Sequence, residues 1–433
     1  MSPASAFDPS EDFASRLDAD DPLRHFRDQF LHPLRPDGQP AVYLCGHSLG
    51  MRPAGARAFV EQELDAWGRL GVEGHFRGQT PWYSYHETLR DAGARLVGAL
   101  PQEVVFMNSL TVNLHLMLAT FYRPAGRRRC ILIDGPAFPS DLYAVQSQIR
   151  WHGLNPAECL LTVGPRDGEH CLHIEDVEKM LERRGAEIAV VWWNAVNFLT
   201  GQYFDVPRLT AAAHRQGSLV GLDLAHAAGN VPLNLHDWAV AFAVWCSYKY
   251  LNGGPGAVGG CFVHEKYGDD LSLPRLAGWW GNDPATRFRM QLEPVFTPKV
   301  GADGWQISNP PILSMAPLRA ALALFDDAGM TALRAKSERL TAYFEFLLDR
   351  LPPGRFVQIT PRDPAQRGCQ LSLTVHDRPR ALVEKLETEG VVCDFREPNV
   401  VRAAPAPLYN SYHDVWTFVD VLGRFFGEAE RGP

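Results

Sequence analysis

The chain contains no Cys-x-x-Cys pair, no basic run longer than Arg127-Arg128-Arg129 and no apolar run long enough to cross a bilayer. The first absence argues against a dithiol redox motif or a zinc ribbon. The second removes the electrostatic footprint of a nucleic-acid-binding protein, and the net charge of −8 points the same way. The longest apolar stretch, Ile188 to Phe198, is interrupted by Asn194 and Asn197, so no membrane span is expected. Near the start stand Asp18, Asp20 and Asp21 with no continuous apolar segment, the opposite of a secretory signal. A cytoplasmic protein with reduced thiols is therefore expected. Several of its eight cysteines (Cys130, Cys246, Cys261) fall in apolar strand-like runs, where a free thiol behaves as a small hydrophobe. No internal repeat or low-complexity tract is visible, and only Ser2 to Pro9 reads as disordered.

With 433 residues, 46% of them hydrophobic, the chain can bury a sizeable core. From Glu103 to His264 short β-rich runs alternate with helical periodicity, the pattern of an α/β fold with a mostly parallel sheet. Seven strands are expected: Val104 to Met107, Cys130 to Ile133, Cys159 to Val163, Ile188 to Trp193, Leu219 to Leu222, Ala241 to Trp245 and Gly260 to His264. Amphipathic spacing predicts helices over Thr111 to Phe121, Ser140 to His152, Ile174 to Arg184 and Val206 to Gln216. Beyond Ser308-Asn309-Pro310-Pro311 the pattern changes to one long helical stretch, Ala316 to Leu351, a strand Gln370 to Val375, a helix Arg380 to Glu389 and short strands at Val391 to Phe395 and Val400 to Arg402. The division expected is an N-terminal segment 1–70, a large domain 71–310 and a smaller α+β domain 311–433.

The most telling segment is Trp245-Cys246-Ser247-Tyr248-Lys249-Tyr250-Leu251-Asn252-Gly253-Gly254, a lysine among small and aromatic residues at the end of an apolar run. Asp223-Leu224-Ala225-His226 ends another such run, 249 − 223 = 26 residues earlier. Either alone reads as a surface charge or a helix cap. Together they suit pyridoxal phosphate, whose aldehyde condenses with a lysine amine and whose pyridine nitrogen is kept protonated by a carboxylate.

Other segments fit around such a ring. Asn108-Ser109-Leu110-Thr111 lies where a strand hands over to a helix, and helix-end amides with the Thr111 hydroxyl could hold a phosphate, although simple capping is an equal reading. Phe138, between Pro136 and Pro139, could stack on the ring or simply belong to the core. Gly254-Pro255-Gly256-Ala257-Val258-Gly259 matches G-x-G-x-x-G but runs into a strand, so it is not a dinucleotide site. His170-Cys171-Leu172-His173 lacks a convincing further ligand set, and no metal is expected.

Across most of its length the sequence resembles kynureninase, a fold type I pyridoxal phosphate enzyme. The blocks are Gly71-Val72-Glu73-Gly74-His75-Phe76, Ser109 to His115, Phe138-Pro139-Ser140-Asp141, Asp223 to Asn230, the Lys249 segment, Gly278-Trp279-Trp280-Gly281, Ile307 to Pro311 and Arg402 to Asn410. The resemblance implies Lys249 bonded to the cofactor, Asp223 at the pyridine nitrogen, and Leu110, Thr111, Phe138, Asp141, His226, Tyr248, Trp279 and Asn309 around it. Asn194 is added by its position at a strand end alone. Tyr248 is implied as a proton relay, and Arg402 as the clamp on the substrate α-carboxylate, with Arg396 a weaker candidate. His75, Ser308 and Asn309 resemble the polar set that accompanies a preference for 3-hydroxykynurenine.

The activity implied is hydrolytic Cβ–Cγ cleavage of kynurenine or 3-hydroxykynurenine to an anthranilate and alanine, a step of tryptophan breakdown and of the route to NAD. A homodimer with shared active sites is implied as well. Two competing readings are weaker: a cysteine desulfurase or selenocysteine lyase of the same fold needs a mobile nucleophilic cysteine, whereas Cys369 and Cys393 fall in or beside expected strands, and a cofactor-binding regulator without turnover has no need of Arg402 or the His75 block.

Overall fold

A computed structural model describes residues 7–430. Each of the seven expected strands is present with ends shifted by no more than one residue, and together they form a single sheet. The order is Val104–Phe106, Gly260–Val263, Phe242–Trp245, Leu219–Asp223, Ile188–Asn194, Cys130–Asp134, Leu160–Val163. Gly260–Val263 runs antiparallel to both neighbours, and the remaining pairs are parallel. The central strand Ile188–Asn194 is buried along its whole length, and its near-continuous apolar sequence reflects helices covering both faces.

Register decides where the chemistry collects. Asn194 pairs with Asp223, and Asp223 with Val244, so the carboxyl ends of three adjacent strands lie side by side. Asp134 ends the next strand along, and the segment carrying Lys249 leaves Trp245 at the same edge. The helices Leu110–Phe121 and Pro139–Trp151 begin there too.

The C-terminal part departs from the sequence reading in several places, among them a closing helix, Tyr412–Glu430, that was not expected. The expected single helix Ala316 to Leu351 is two, Ile312–Ala328 and Met330–Leu348, broken at Gly329, whose φ of 73° no continuous right-handed helix accommodates. The expected strand Val391 to Phe395 splits. Val391–Val392 pairs in parallel with Val42–Tyr43, while Asp394–Arg396 joins an antiparallel sheet ordered Phe356–Gln358, Leu371–Val375, Val400–Ala403, Asp394–Arg396. Phe356–Gln358 escaped the sequence reading because it is three residues long and only partly buried.

Residues before 71 divide between two cores. Ala14 and Leu17 of helix Glu11–Ala19 join the apolar cluster of Leu340, Tyr343 and Phe418. Helix Ala56–Leu70 packs instead on Ile312–Ala328. Of the segment expected to be disordered, Ser2 to Ala6 lie outside the described residues. Phe7 to Pro9 are packed: the Phe7 ring lies 5.4 Å from that of Tyr343, and the Pro9 carbonyl accepts from Trp416 Nε1 at 3.0 Å. Those aromatic contacts outweigh the polar composition of the segment.

Two helix-ending glycines separate strain from crowding. Gly98 (φ 62°) and Gly329 (φ 73°) both need the left-handed region, but a Cβ at Gly98 would lie 2.3 Å from the Leu233 carbonyl oxygen, whereas nothing lies within 4 Å at Gly329. Gly329→Ala should cost about 1–2 kcal/mol. Gly98→Ala should cost a further ~1–3 kcal/mol for overpacking. Thermal midpoints of the two variants check this, and equal shifts would contradict it.

Candidate active site

Backbone hydrogen bonds from Gly253 to the Ser247 carbonyl (2.8 Å) and from Asn252 to the Lys249 carbonyl (2.9 Å) fold the lysine segment into a tight turn beyond its strand. The turn aims Lys249 back over the sheet edge. Its Nζ lies 3.1 Å from Nε2 of His226 and 5.7 Å from the centroid of the Phe138 ring. The Asp223 segment turns as tightly, with the Ala225 amide donating to Asp223 Oδ1 at 2.6 Å. Lys249, Phe138, His226 and Asp223 are thus gathered from separate elements.

Electrostatics at this edge are dominated by buried carboxyls. Burial raises the Asp223 pKa, and the Lys249 charge opposes the rise. Burial and the adjacent Asp223 hold Asp141 well above the usual carboxylate range, so Asp141 keeps the proton of the pair. Trp192 Nε1 donates to Asp141 Oδ2 at 3.1 Å, and Oδ1 has no hydrogen-bond partner. Asp134, given no role from sequence, is also fully buried and pushed up to about 6, although Asn194 (2.8 Å) and Asn197 (3.3 Å) donate to it. Asn194 therefore commits an amide hydrogen to Asp134. Asp134 ends its strand just as Asn194 and Asp223 end theirs, which was the available signal.

His226 is neutral, because burial and the Lys249 charge lower its pKa far below the usual value, and its Nδ1 is unpaired. Tyr248 is half-buried, its phenol raised by burial and by Cys246 beside it. Thr111 and Ser140 share a 2.9 Å hydroxyl contact, which joins the first turns of two helices. Leu110 and Thr111 open their helix, where the first amides have no acceptor within the helix.

Arg402 is buried with a side chain 1% exposed. Its Nε donates to Asp394 at 2.9 Å and Nη1 to the Phe198 carbonyl at 2.5 Å. Nη2 lies 2.8 Å from the same Asp394 oxygen without forming a hydrogen bond. Arg396 grips Asp394 from the side at 2.9 and 3.1 Å. Asp394, unnoticed in the sequence, orders both arginines.

His75 and Trp279 fall in a second group. His75 stacks edge-on with Trp82 at 5.3 Å, Phe76 and Tyr83 each approach Phe288 at 5.5 Å, and Trp279 lies 6.3 Å from Phe288. Ser308 and Asn309 are exposed and follow Ile307, whose carbonyl accepts from the Trp280 amide at 3.3 Å. Among the described residues, no hydrogen bond or ring contact joins this group to Lys249, Asp223 or Phe138. Gly254 to Gly259 run directly into the strand Gly260–Val263, without the helix that a dinucleotide motif requires. His173 pairs with Glu169, and Cys171 donates to the Ile359 carbonyl.

The sequence pattern described as the kynureninase C-terminal domain matches residues 333–422. The kynureninase of Myxococcus xanthus (strain DK1622) is 57% identical over 417 residues, which is 96% of this chain and 97% of that protein. The chain belongs to the kynureninase family. The kynureninase of Koribacter versatilis (strain Ellin345) is 56% identical over 416 residues, 96% of this chain and 98% of that protein. Among solved structures, the Escherichia coli cysteine desulfurase CsdA superposes with a TM-score of 0.74 at 19% identity, covering 94% of this chain and 98% of its own. The cystine C–S lyase C-DES in complex with cysteine persulfide gives 0.71 at 19% identity over 88% of this chain and 97% of its own. At that identity these two show a shared fold, that of the kynureninase family and its desulfurase-like neighbours.

Asp134 gives this edge a pH dependence of known sign. Its folded pKa of about 6 lies above the ordinary 3.8, so between those values the folded state holds a proton that the unfolded state has lost. Its contribution is therefore full below about pH 4 and lost as pH rises through about 6, a change on the order of 2–3 kcal/mol. Stability of the cofactor-free protein followed from pH 4 to 8 should fall by this component in the wild type and not in Asp134→Asn. Parallel profiles would show that Asp134 does not titrate there.

Proposed function

We propose that the chain is a kynureninase, a pyridoxal phosphate-dependent hydrolase that cleaves the Cβ–Cγ bond of kynurenine or 3-hydroxykynurenine to an anthranilate and L-alanine. The observation that carries this is the Lys249 amine facing Phe138 and His226 above a buried Asp223, in a chain of this family. The residues fit the cofactor. A pyridinium would meet the desolvated Asp223 carboxylate, a flat ring would find Phe138 alongside, and the unpaired first amides of Leu110–Phe121 with Thr111 would receive a phosphate. Held at Lys249, pyridoxal phosphate supplies an electron sink for negative charge developing on the substrate.

The protein's own groups do the rest. Lys249, once free, has an amine able to take the Cα proton, with neutral His226 at 3.1 Å as hydrogen-bond acceptor. Asp141, holding its proton, adds no second negative charge beside Asp223. Arg402 binds the α-carboxylate, and Tyr248 relays a proton to Cβ, the atom that keeps the bonding electrons and becomes the methyl carbon of alanine. Water adds to the γ-carbonyl and the Cβ–Cγ bond breaks.

The desulfurase alternative lacks its nucleophile. Cys369 is completely buried, with its thiol pushed up to about 12 by burial, and burial raises Cys393 as well. A thiol so protonated is a poor nucleophile.

The aromatic group around Trp279 is the place for a second copy of the chain. Phe76, Phe288, Met290, Leu292 and Val295 expose 48–73% of their surface. Exposed apolar clusters mark protein–protein contact sites. A homodimer covering it would bring His75, Trp279 and Asn309 to the partner's lysine. No helix among the described residues is long and apolar enough to cross a membrane.

Mixing the protein with kynurenine should release anthranilate, and Lys249→Ala should abolish both that release and the absorbance of lysine-bound cofactor. Asp223→Ala should retain cofactor but lose most turnover; near-normal turnover would remove Asp223 from the mechanism.

Substrate choice tests His75. If its ring satisfies the substrate's 3-hydroxyl, the hydroxylated substrate is favoured, because the other leaves a polar group unpaired at a cost of about 1–3 kcal/mol. The kcat/KM ratio of the two substrates should favour 3-hydroxykynurenine and shrink in His75→Phe. An unchanged ratio would contradict the role.

A further inference from the structure

His47 occupies the wall between Lys249 and Arg402. The chain reaches it along Val42–Tyr43, continues with the Leu44 carbonyl accepting from the Ala404 amide at 2.9 Å, and then turns, as the Cys45 carbonyl accepts from Ser48 (2.9 Å) and Leu49 (3.1 Å). Leaving the turn, the Gly50 amide donates to the Tyr248 carbonyl at 2.8 Å. The loop therefore bridges the end of the Arg402 strand and the lysine segment. Two glycines make that approach possible. A Cβ at Gly46 would lie 2.1 Å from the Tyr409 hydroxyl oxygen, and one at Gly50 would lie 2.2 Å from the Lys249 carbonyl oxygen.

The imidazole held there is 1% exposed, and neither ring nitrogen has a hydrogen-bond partner. Its ring centroid lies 6.3 Å from that of His226. Burial and the charges of Arg402, Lys249 and Arg396 hold it neutral, with one N–H donor and one acceptor. Leaving such groups buried and unpaired is costly, and native structures rarely do so without a partner from outside the chain.

A cation is the wrong partner. Cys45, His47 and Asp394 do lie within reach of a common ion. Asp394, however, is already held by Arg396, by Arg402 and by Ser48 Oγ at 2.9 Å, and two guanidiniums flank the position. Their charge favours an anion.

We infer that His47 donates a hydrogen bond to the α-carboxylate of the amino-acid substrate, alongside Arg402. This rests on the function proposed above only in requiring a substrate whose amine reaches Lys249 and whose carboxylate reaches Arg402. Amine and carboxylate share one carbon, so a ligand joining those two points passes the loop that carries His47. Neutral imidazole adds direction without adding charge, and Arg402 supplies the charge.

The test uses holoenzyme and two ligands that differ only at the carboxylate, L-alanine and L-alaninamide, with binding followed by the change in cofactor absorbance. His47→Leu should weaken alanine about tenfold or more, the weight of one hydrogen bond to a charged group, and leave alaninamide within about twofold. With kynurenine its KM should rise while kcat stays within about threefold. Either His47→Asn or His47→Gln, whose amide hydrogen can replace one of the two ring positions, should recover most of the alanine affinity. These two also serve if the leucine variant does not fold. The inference is overturned if the folded leucine variant binds alanine within twofold of wild type, if both ligands weaken equally, or if both amide variants lose as much as leucine. Failure of the wild type to release anthranilate would overturn the proposed function instead and leave the alanine comparison standing.

Discussion

The desolvation of Asp223 is the constraint on which the other features of this edge depend. A carboxylate at the end of a central strand, buried among strand ends and backed by two more buried carboxyls, is unstable as an anion unless a cation faces it. Lys249 supplies part of that charge. Asp141 avoids adding a second negative charge by keeping its proton, and Asn194 and Asn197 spend their amides on Asp134. The whole edge is preorganised for one positively charged group above Asp223, as a protonated pyridine would be.

A second electrostatic balance lies across the site. Asp394 neutralises one of two arginines and leaves net positive charge near Lys249. The two halves thus have opposite electrostatic character, one carrying buried carboxyls and the other paired guanidiniums. The short Asp394–Arg396 strand belongs to the smaller sheet, so the second half exists only where the C-terminal part meets the main sheet.

The fold and the lysine-aspartate pair were legible because they are local. Strand and helix alternation is written in apolar periodicity, and each segment carries its own turn residues. Asp223 and Lys249 were recognisable because each sits just where its apolar run stops. Gly329 was misread because helical periodicity continues on both sides of it, and the break rests on a single backbone angle.

By itself the sequence determined the seven strands, and with them that the Asp223 and Lys249 segments leave the same edge of the sheet. Only the tertiary structure decided which polar groups face one another. Asp134 received its partners because parallel register aligned its strand with that of Asn194, Asp394 because a β-ladder set it opposite Arg402, and His47 because a loop some two hundred residues upstream of Lys249 packs against it. Such pairings depend on register and on contacts distant in sequence, which no local pattern of residue types encodes.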